Sequence, residues 1–268
     1  MNPPLSIIIP CKNERENILA CIDSVATIAD EILVIDSGST DGTQDLVRDR
    51  DRCRLIETEW LGYAKTKNWG IPQASHEWVL LLDADERATS ALCEEVRQVL
   101  RDVADDVDGF WIRRRNHFLG HPIRYCGWQG DKVCRLIRRD RCRYREVAVH
   151  EEIDIASDRA GWLKQPLQHF TQNSYDEIID KTCRYTKLSA QESYERGRRP
   201  SRIRMFTAGP IRFLKTYVLK GGILDGIAGL QVCMISAYYA YLKEAQLWAL
   251  HHAATQPSST EDSASDSN

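Results

Sequence analysis

The run Leu80-Leu81-Leu82-Asp83-Ala84-Asp85-Glu86 sets three acidic residues against the end of an apolar stretch. Such a stretch reads as a buried strand. Its acids then fall at the carboxyl edge of a sheet, where open α/β proteins bind their ligands. Two carboxylates one residue apart suit a hard divalent cation, which often shares phosphate oxygens with a substrate. The same residues also suit a helix N-terminus, where the dipole favours negative charge. Taken alone, the motif leaves both readings open.

Three further segments carry polar groups of the kind a nucleotide needs. Pro10-Cys11-Lys12-Asn13-Glu14 follows the apolar run Leu5 to Pro10, and Asp36-Ser37-Gly38-Ser39-Thr40-Asp41-Gly42-Thr43 follows the run Glu31 to Ile35. Lys65, Lys67 and Asn68 lie in a helical segment. The chain has no Gly-x-Gly-x-x-Gly and no Gly-x-x-x-x-Gly-Lys-[Ser/Thr], which disfavours a dinucleotide fold and a P-loop NTPase.

The elements that must position these groups follow from periodicity. Strands are expected at Leu5 to Pro10, Glu31 to Ile35, Arg54 to Glu57 and Trp78 to Leu82, and helices at Asn13 to Ile28, Tyr63 to Ala74 and Ser90 to Val99. Asp41 is placed to cap the helix between the second and third strands. This alternation predicts a parallel sheet with helices on both faces and all four polar segments on one edge. After Asp108 the pattern changes to strands at Gly109 to Arg115, Val133 to Arg138 and Glu146 to Ile155, a mixed or antiparallel extension. Tyr175 to Arg196 reads as helix.

At 268 residues the chain is long enough for one large domain, or one domain with an appendage. A net charge of −3 gives no reason to expect nucleic acid. The 9 cysteines form no Cys-x-x-Cys pair, which argues against a disulfide framework or a zinc knuckle. The chain enters its first strand without a basic, cleavable leader, so no secretory signal is expected and a reducing cytoplasmic setting fits.

In their order along the chain, Ser6-Ile7-Ile8-Ile9-Pro10, Asn13-Glu14, Val34 to Thr43 and Leu82-Asp83-Ala84-Asp85 resemble the inverting family-2 glycosyltransferases of GT-A fold. Lys67-Asn68, Asp131 with Arg135-Leu136, Val149-His150-Glu151 and Lys181 with Arg184-Tyr185 are similar to one subgroup, the β-1,4-glucosyltransferases of the lipopolysaccharide inner core. The resemblance implies a GT-A domain over residues 1–173, with a parallel-rich mixed sheet; the pattern beyond it predicts a C-terminal helical membrane-associating appendage over 174–254, and the Ser/Thr/Asp/Glu composition a disordered tail over 255–268. It implies metal-dependent, inverting transfer of a hexose, glucose in the subgroup, from a nucleotide sugar such as UDP-glucose to a lipid-linked glycan. Pro10, Asn13, Glu14, Asp36, Lys67 and Asp83 would bind the donor, with Asp36 accepting from the base. Asp85 would ligate Mg2+ or Mn2+ directly and Asp83 through water, and His169 would be a late ligand. The family's usual late Glu-Asp pair is missing. Glu151 is expected as the general base, with Glu152 the alternative, and Asp131 is expected to position the acceptor. A nucleotidyltransferase of related fold would want a glycine-rich basic loop near the N-terminus, which Pro10 to Glu14 lacks. A catalytically inactive sugar-nucleotide binder or scaffold is the rival of a different class.

The C-terminal segment sets Phe206, Ile211, Phe213, Leu214, Tyr217, Val218 and Leu219 among Arg212, Lys215 and Lys220, the pattern of an interfacial amphipathic helix. Gly221-Gly222 should break it before the uncharged run Gly226 to Leu242, which is shorter than the roughly 20 residues of a full span. Peripheral attachment to the cytoplasmic face of the inner membrane is the expectation.

Overall fold

The computed structural model describes residues 3–145, 153–172 and 174–253. The chain divides into two compact units, Met1–His117 with Gly130–Thr171, and Phe118–Gln129 with Gln172–Asn268. Residues 118–129, inside the expected catalytic range, group with the helical unit. The expected tail lies outside the described residues.

The first unit is built on β1 (Leu5–Cys11), β2 (Glu31–Asp36), β3 (Cys53–Glu57) and β4 (Trp78–Leu81), which pair in the order β3-β2-β1-β4, all parallel. The expected strands and their direction are therefore present. Four helices connect and follow them: α1 (Ile18–Val25), α2 (Thr43–Arg48), α3 (Tyr63–Gly70) and α4 (Ser90–Arg101). Side chains alternate across a strand, so each strand feeds two cores. Ile7, Ile9, Val34, Leu80 and Leu82 pack with Ile18 and Ile22 of α1 and Leu92 and Val96 of α4. Ile8, Leu33, Ile35, Val79 and Leu81 pack on the other side with Ala64 of α3 and Ile71. Burial on both faces explains why these strands are almost uniformly apolar.

Beyond β4 the sheet becomes mixed. It continues through β5 (Glu86–Arg87), β6 (Gly109–Phe118), β8 (Lys132–Arg138), β9 (Ala160–Trp162) and β10 (Leu167–Gln172), with β7 (His121–Pro122) a two-residue strand. The pairs β4–β8, β8–β6 and β10–β5 are antiparallel and β6–β9 is parallel. The path runs β4-β8-β6-β10-β5, so the second half of the sheet folds back to meet the loop leaving β4. Of the expected strand Glu146 to Ile155, residues 146–152 lie outside the described residues, and Ile153 forms an isolated bridge with Tyr144.

The second unit is helical: α5 (Tyr175–Glu195), α6 (Arg202–Leu214) and α7 (Gly226–Ala253). Ser174 and Ser201 cap α5 and α6 through their hydroxyls, which accept from the backbone N–H groups of Glu177 and Arg204. A π-helical turn at Lys215–Leu219 extends α6 to Gly221, whose φ of 71° ends it. Gly222 then leaves no room for a side chain: a Cβ would lie 2.6 Å from the Cys233 sulfur. The expected break at Gly221-Gly222 thus becomes a tight corner between α6 and α7.

Candidate active site

Two polar clusters occupy the carboxyl edge of the parallel strands. The first joins the loops after β1 and β2. Pro10 and Cys11 pair in register with Ile35 and Asp36. Asn13 has a φ of 57°, and its Oδ1 accepts from the Thr40 N–H at 2.8 Å while its own N–H donates to Ser39 Oγ at 2.8 Å. The Glu14 N–H donates to Thr43 Oγ1. The buried Asp36 carboxylate accepts from the N–H groups of Gly38 and Ser39, from the Ser39 hydroxyl, from Gln44 Nε2 and from the Cys11 thiol. Burial pushes the Asp36 carboxyl up, but these hydrogen bonds outweigh it and hold it below the usual carboxylate range. Asp41 sits one residue before the N-cap, Gly42, and accepts from the N–H and hydroxyl of Thr43 and the N–H of Arg15. It therefore organises the start of α2 without occupying the expected cap position.

The second cluster surrounds Asp83 to Glu86. Asp83 Oδ1 meets Lys67 Nζ at 2.9 Å, and its Oδ2 accepts from Arg135. Arg135 also donates to Glu86 at 2.8 Å, and Arg114 reaches Glu86 at 3.4 Å. Asp131 takes the Arg114 fork at 2.9 and 3.0 Å and a hydrogen bond from Asn116 Nδ2 at 2.7 Å. Burial raises the Asp83 carboxyl and the charges of Arg135 and Lys67 lower it; the net shift is far below the usual range. The side chain of Asp131 is lowered the same way, chiefly by Arg114 against burial.

Strand pairing brings the last two members together. β10 runs antiparallel to β5 with His169 opposite Glu86, and the Phe170 N–H donates to the Asp85 carbonyl. His169 Nε2 thereby lies 3.3 Å from Asp85 Oδ2, while its Nδ1 lies 2.5 Å from Asn116 Oδ1. The ionised Asp131 only accepts, so Asn116 must turn its NH2 to Asp131 and its oxygen to His169. Nδ1 then carries the imidazole proton. The other ring nitrogen, Nε2, faces the Asp85 carboxylate oxygen, a pairing that a proton or a metal ion between them would join. Charge counting points the same way. Lys67, Arg114 and Arg135 balance Asp83, Glu86 and Asp131, and among the described residues no lysine or arginine pairs with Asp85.

The clusters meet through α1: Asn17 donates to Glu14 and accepts from Arg87. The structure thus groups Lys67, Asp83, Asp85, Asp131 and His169 in one network, and Pro10, Asn13, Glu14 and Asp36 in the other. His150, Glu151 and Glu152 lie outside the described residues. Glu86, Arg114, Asn116 and Arg135 were not among the expected site residues. Arg135 had a legible signal, a charge within the apolar stretch Val133 to Ile137 of β8, because a charge there must be paired. Arg114 and Asn116 had a weaker one. They share a strand face, whereas Arg113 and Arg115 point out to solvent.

Comparison with known proteins supplies the class. The family model "Glycosyl transferase family 2" matches residues 6–149, which contain both loops and the Asp83 to Glu86 turn. Lipopolysaccharide core biosynthesis glycosyltransferase LpsC of Rhizobium meliloti is 34% identical, over 95% of this chain and 95% of its own length. An uncharacterized glycosyltransferase of Rickettsia bellii is 24% identical over 91% of this chain and 85% of its own. A crystal structure of glucosyl-3-phosphoglycerate synthase from Mycobacterium tuberculosis, in complex with Mn2+, UDP and glucosyl-3-phosphoglycerate, superposes with a TM-score of 0.36 and 20% identity, covering 43% of this chain and 44% of that one. With a family match over more than half its length and a relative aligned almost end to end, the chain belongs to glycosyl transferase family 2, and it is a glycosyltransferase related to a lipopolysaccharide core enzyme.

Proposed function

We propose that this enzyme is a metal-dependent, inverting hexosyltransferase that takes glucose from UDP-glucose and adds it to a lipid-linked glycan such as the lipopolysaccharide inner core. The observation that carries the metal is the approach of His169 Nε2 to Asp85 Oδ2 at 3.3 Å, with Asn116 holding the other ring nitrogen. Metal-bound histidines commonly donate their second N–H to such an oxygen. Asp85 and His169 supply two protein ligands, and a Mg2+ or Mn2+ site of this kind is completed by water and substrate phosphates. When bound, the ion neutralises the diphosphate that leaves. Asp83, held by Lys67 and Arg135, would contact a metal-bound water or the donor ribose. Buried Lys67 adds positive charge on the donor side.

Asn13, Glu14 and the Asp36 loop form the nucleotide end. Asp36 is occupied by its own loop, so a base that used it would take the place of a present donor, Gln44 or the Ser39 hydroxyl. The acceptor hydroxyl attacks the anomeric carbon opposite the diphosphate and loses its proton to a carboxylate, Glu151 in this proposal with Glu152 the alternative. The C–O bond to the diphosphate breaks as the new one forms, which inverts the anomeric configuration. Asp131 holds Arg114 and Asn116, so its part in acceptor placement is exerted through them. Release of nucleoside diphosphate from a panel of donors, with and without chelator and with membrane extract as acceptor, tests the reading. A preference for UDP-glucose that chelation abolishes is expected; turnover unaffected by chelator would defeat the metal assignment.

The helical unit is proposed to bind the membrane peripherally, at the cytoplasmic face of the inner membrane. Ile203, Phe206, Ile211, Leu214 and Val218 are exposed along α6 and the turn that extends it, and Ile227, Leu230, Met234, Tyr238, Tyr241 and Trp248 along α7. Arg202, Arg204, Lys215 and Lys220 flank them, the composition of an interfacial surface facing anionic lipid. One helical stretch, Gly222–Ala253, is long and apolar enough to cross a bilayer. Its other face, however, is tied to α5 and the residues that follow it: Tyr239 bonds to Ser189, Glu244 pairs with Arg198, and His251 meets the Arg198 carbonyl. A spanning α7 would have to take the charged α5 with it or lose these contacts, which favours lying in the interface. Flotation with phosphatidylglycerol vesicles should recover the protein, and F206E/L214E should leave it in solution with its melting temperature unchanged.

A further inference from the structure

A pocket of about 310 Å3, open to solvent, lies on the helical unit between α5, α6, α7 and the 118–129 segment. Two cations line it, Lys181 and Arg212, and no carboxylate does. Arg212 is aimed by its Nε, which donates to Ser236 Oγ at 2.8 Å, so its two terminal amino groups are left to face a ligand. Lys181 has no acceptor among the described residues. Around these charges stand Trp128, Tyr185 and Tyr239. The Tyr239 hydroxyl is already committed to Ser189 and the Tyr185 carbonyl, so the ring offers its face. Lys181 and Tyr185 are four residues apart on α5 and share one side of it.

Uncompensated positive charge next to aromatic faces selects one chemistry. A planar-faced polyol stacks its C–H groups on the rings, and an anionic substituent takes the two cations through charge-assisted hydrogen bonds. The volume is at the lower end for ligand sites, which runs from about 300 Å3, and suits one sugar ring better than an oligosaccharide. We propose that this cavity is a binding subsite for an anionic sugar, a ring bearing phosphate or carboxylate, within the glycan acceptor. The assignment rests on the acceptor being a glycan, as argued above, but uses no residue of the donor site. On α6, Arg212 lines the pocket beside the exposed Ile211 and Leu214, so the helix proposed to face lipid also carries a ligand for the headgroup attached to the lipid.

The test is equilibrium binding of glucose 6-phosphate, glucuronate, glucose and inorganic phosphate to the full-length protein, followed by calorimetry. The two anionic sugars should bind more tightly than either glucose or phosphate. Lys181→Gln and Arg212→Gln should each weaken them about ten-fold, the loss of one charge-assisted contact. Lys181→Arg should restore most of it, and unchanged melting temperatures exclude misfolding. Asp85→Ala should leave this binding intact, so failure of the donor-site reading and failure of this one are separable. Equal binding of glucose and glucose 6-phosphate, or insensitivity to both glutamine variants, would overturn the proposal. So would a loss confined to phosphatidylglycerol vesicle binding with no effect on sugars, which would assign the cations to a phospholipid headgroup.

Discussion

Two loops leave the same parallel sheet with an aspartate, and their carboxylates have opposite surroundings. Asp36, the last residue of β2, accepts from five donors: two N–H groups and a hydroxyl of its own loop, Gln44 of α2 and the Cys11 thiol at the end of β1. Asp85, four residues beyond β4, meets no lysine or arginine among the described residues and lies 3.3 Å from a histidine nitrogen. Between them in character is Asp83, which is clamped by Lys67 and Arg135. The first carboxylate spends its hydrogen-bonding capacity on shaping a loop, whereas the last keeps its charge available. An aspartate at a strand end is therefore no guide to role until its donors are counted.

Removing the clamp should produce the largest effect. Arg135→Met leaves Asp83 and Glu86 facing each other without their shared cation, and breaking such a buried pair costs about 3–5 kcal/mol. A large drop in melting temperature is expected, measured by calorimetry; a drop of only a degree or two would mean that Lys67 and Arg114 alone neutralise the cluster. Asp85→Ala should do the reverse. Turnover should fall by about 10²–10³, the usual scale for loss of one electrostatic contact to the leaving charge, while stability holds. Nucleoside diphosphate release and a melting curve on the same sample separate the two outcomes.

A smaller effect is expected one shell out. Asn116→Leu removes the acceptor that keeps the His169 proton on Nδ1, and should weaken metal affinity by about 10–100-fold. Titration of Mn2+ followed by paramagnetic broadening reads this directly. Smallest is the Asp36 loop. Asp36→Asn retains the size and an acceptor oxygen but loses the charge, and should cost about 1–3 kcal/mol of stability. Because the folded Asp36 carboxyl titrates below its unfolded value of roughly 3.9, its contribution is complete above that pH and lost as pH falls through the folded value. The variant and the parent should therefore converge in stability in strong acid and diverge above about pH 4.

Much of this was legible in the chain itself. The strands at Leu5, Glu31, Cys53 and Trp78, their parallel direction and the helices on both faces follow from apolar runs alternating with amphipathic segments. The break at Gly221-Gly222 follows from the backbone freedom of glycine. Less legible were the partners of the site. Arg114 stands in a run of three arginines, and only the pairing of β6 with β8 and, through β10, with β5 sets it against Asp131 and Glu86 while its neighbours face water. The mixed extension also conceals how far apart in sequence the cluster is, with Lys67 and His169 some hundred residues apart in one network.

The amino-acid sequence by itself determined that this is an α/β chain with carboxylates at the carboxyl edge of a parallel sheet, because periodicity and motif order are local properties. It also determined the apolar and basic character of the C-terminal segment. Only the tertiary structure decided which carboxylate meets no lysine or arginine among the described residues. That depends on the return of β10 against β5, which carries His169 to Asp85, and on β6 and β8, which bring cations to every acid in the cluster except that one. Pairing across a sheet is a long-range property. No spacing along the chain encodes the donors a side chain will meet.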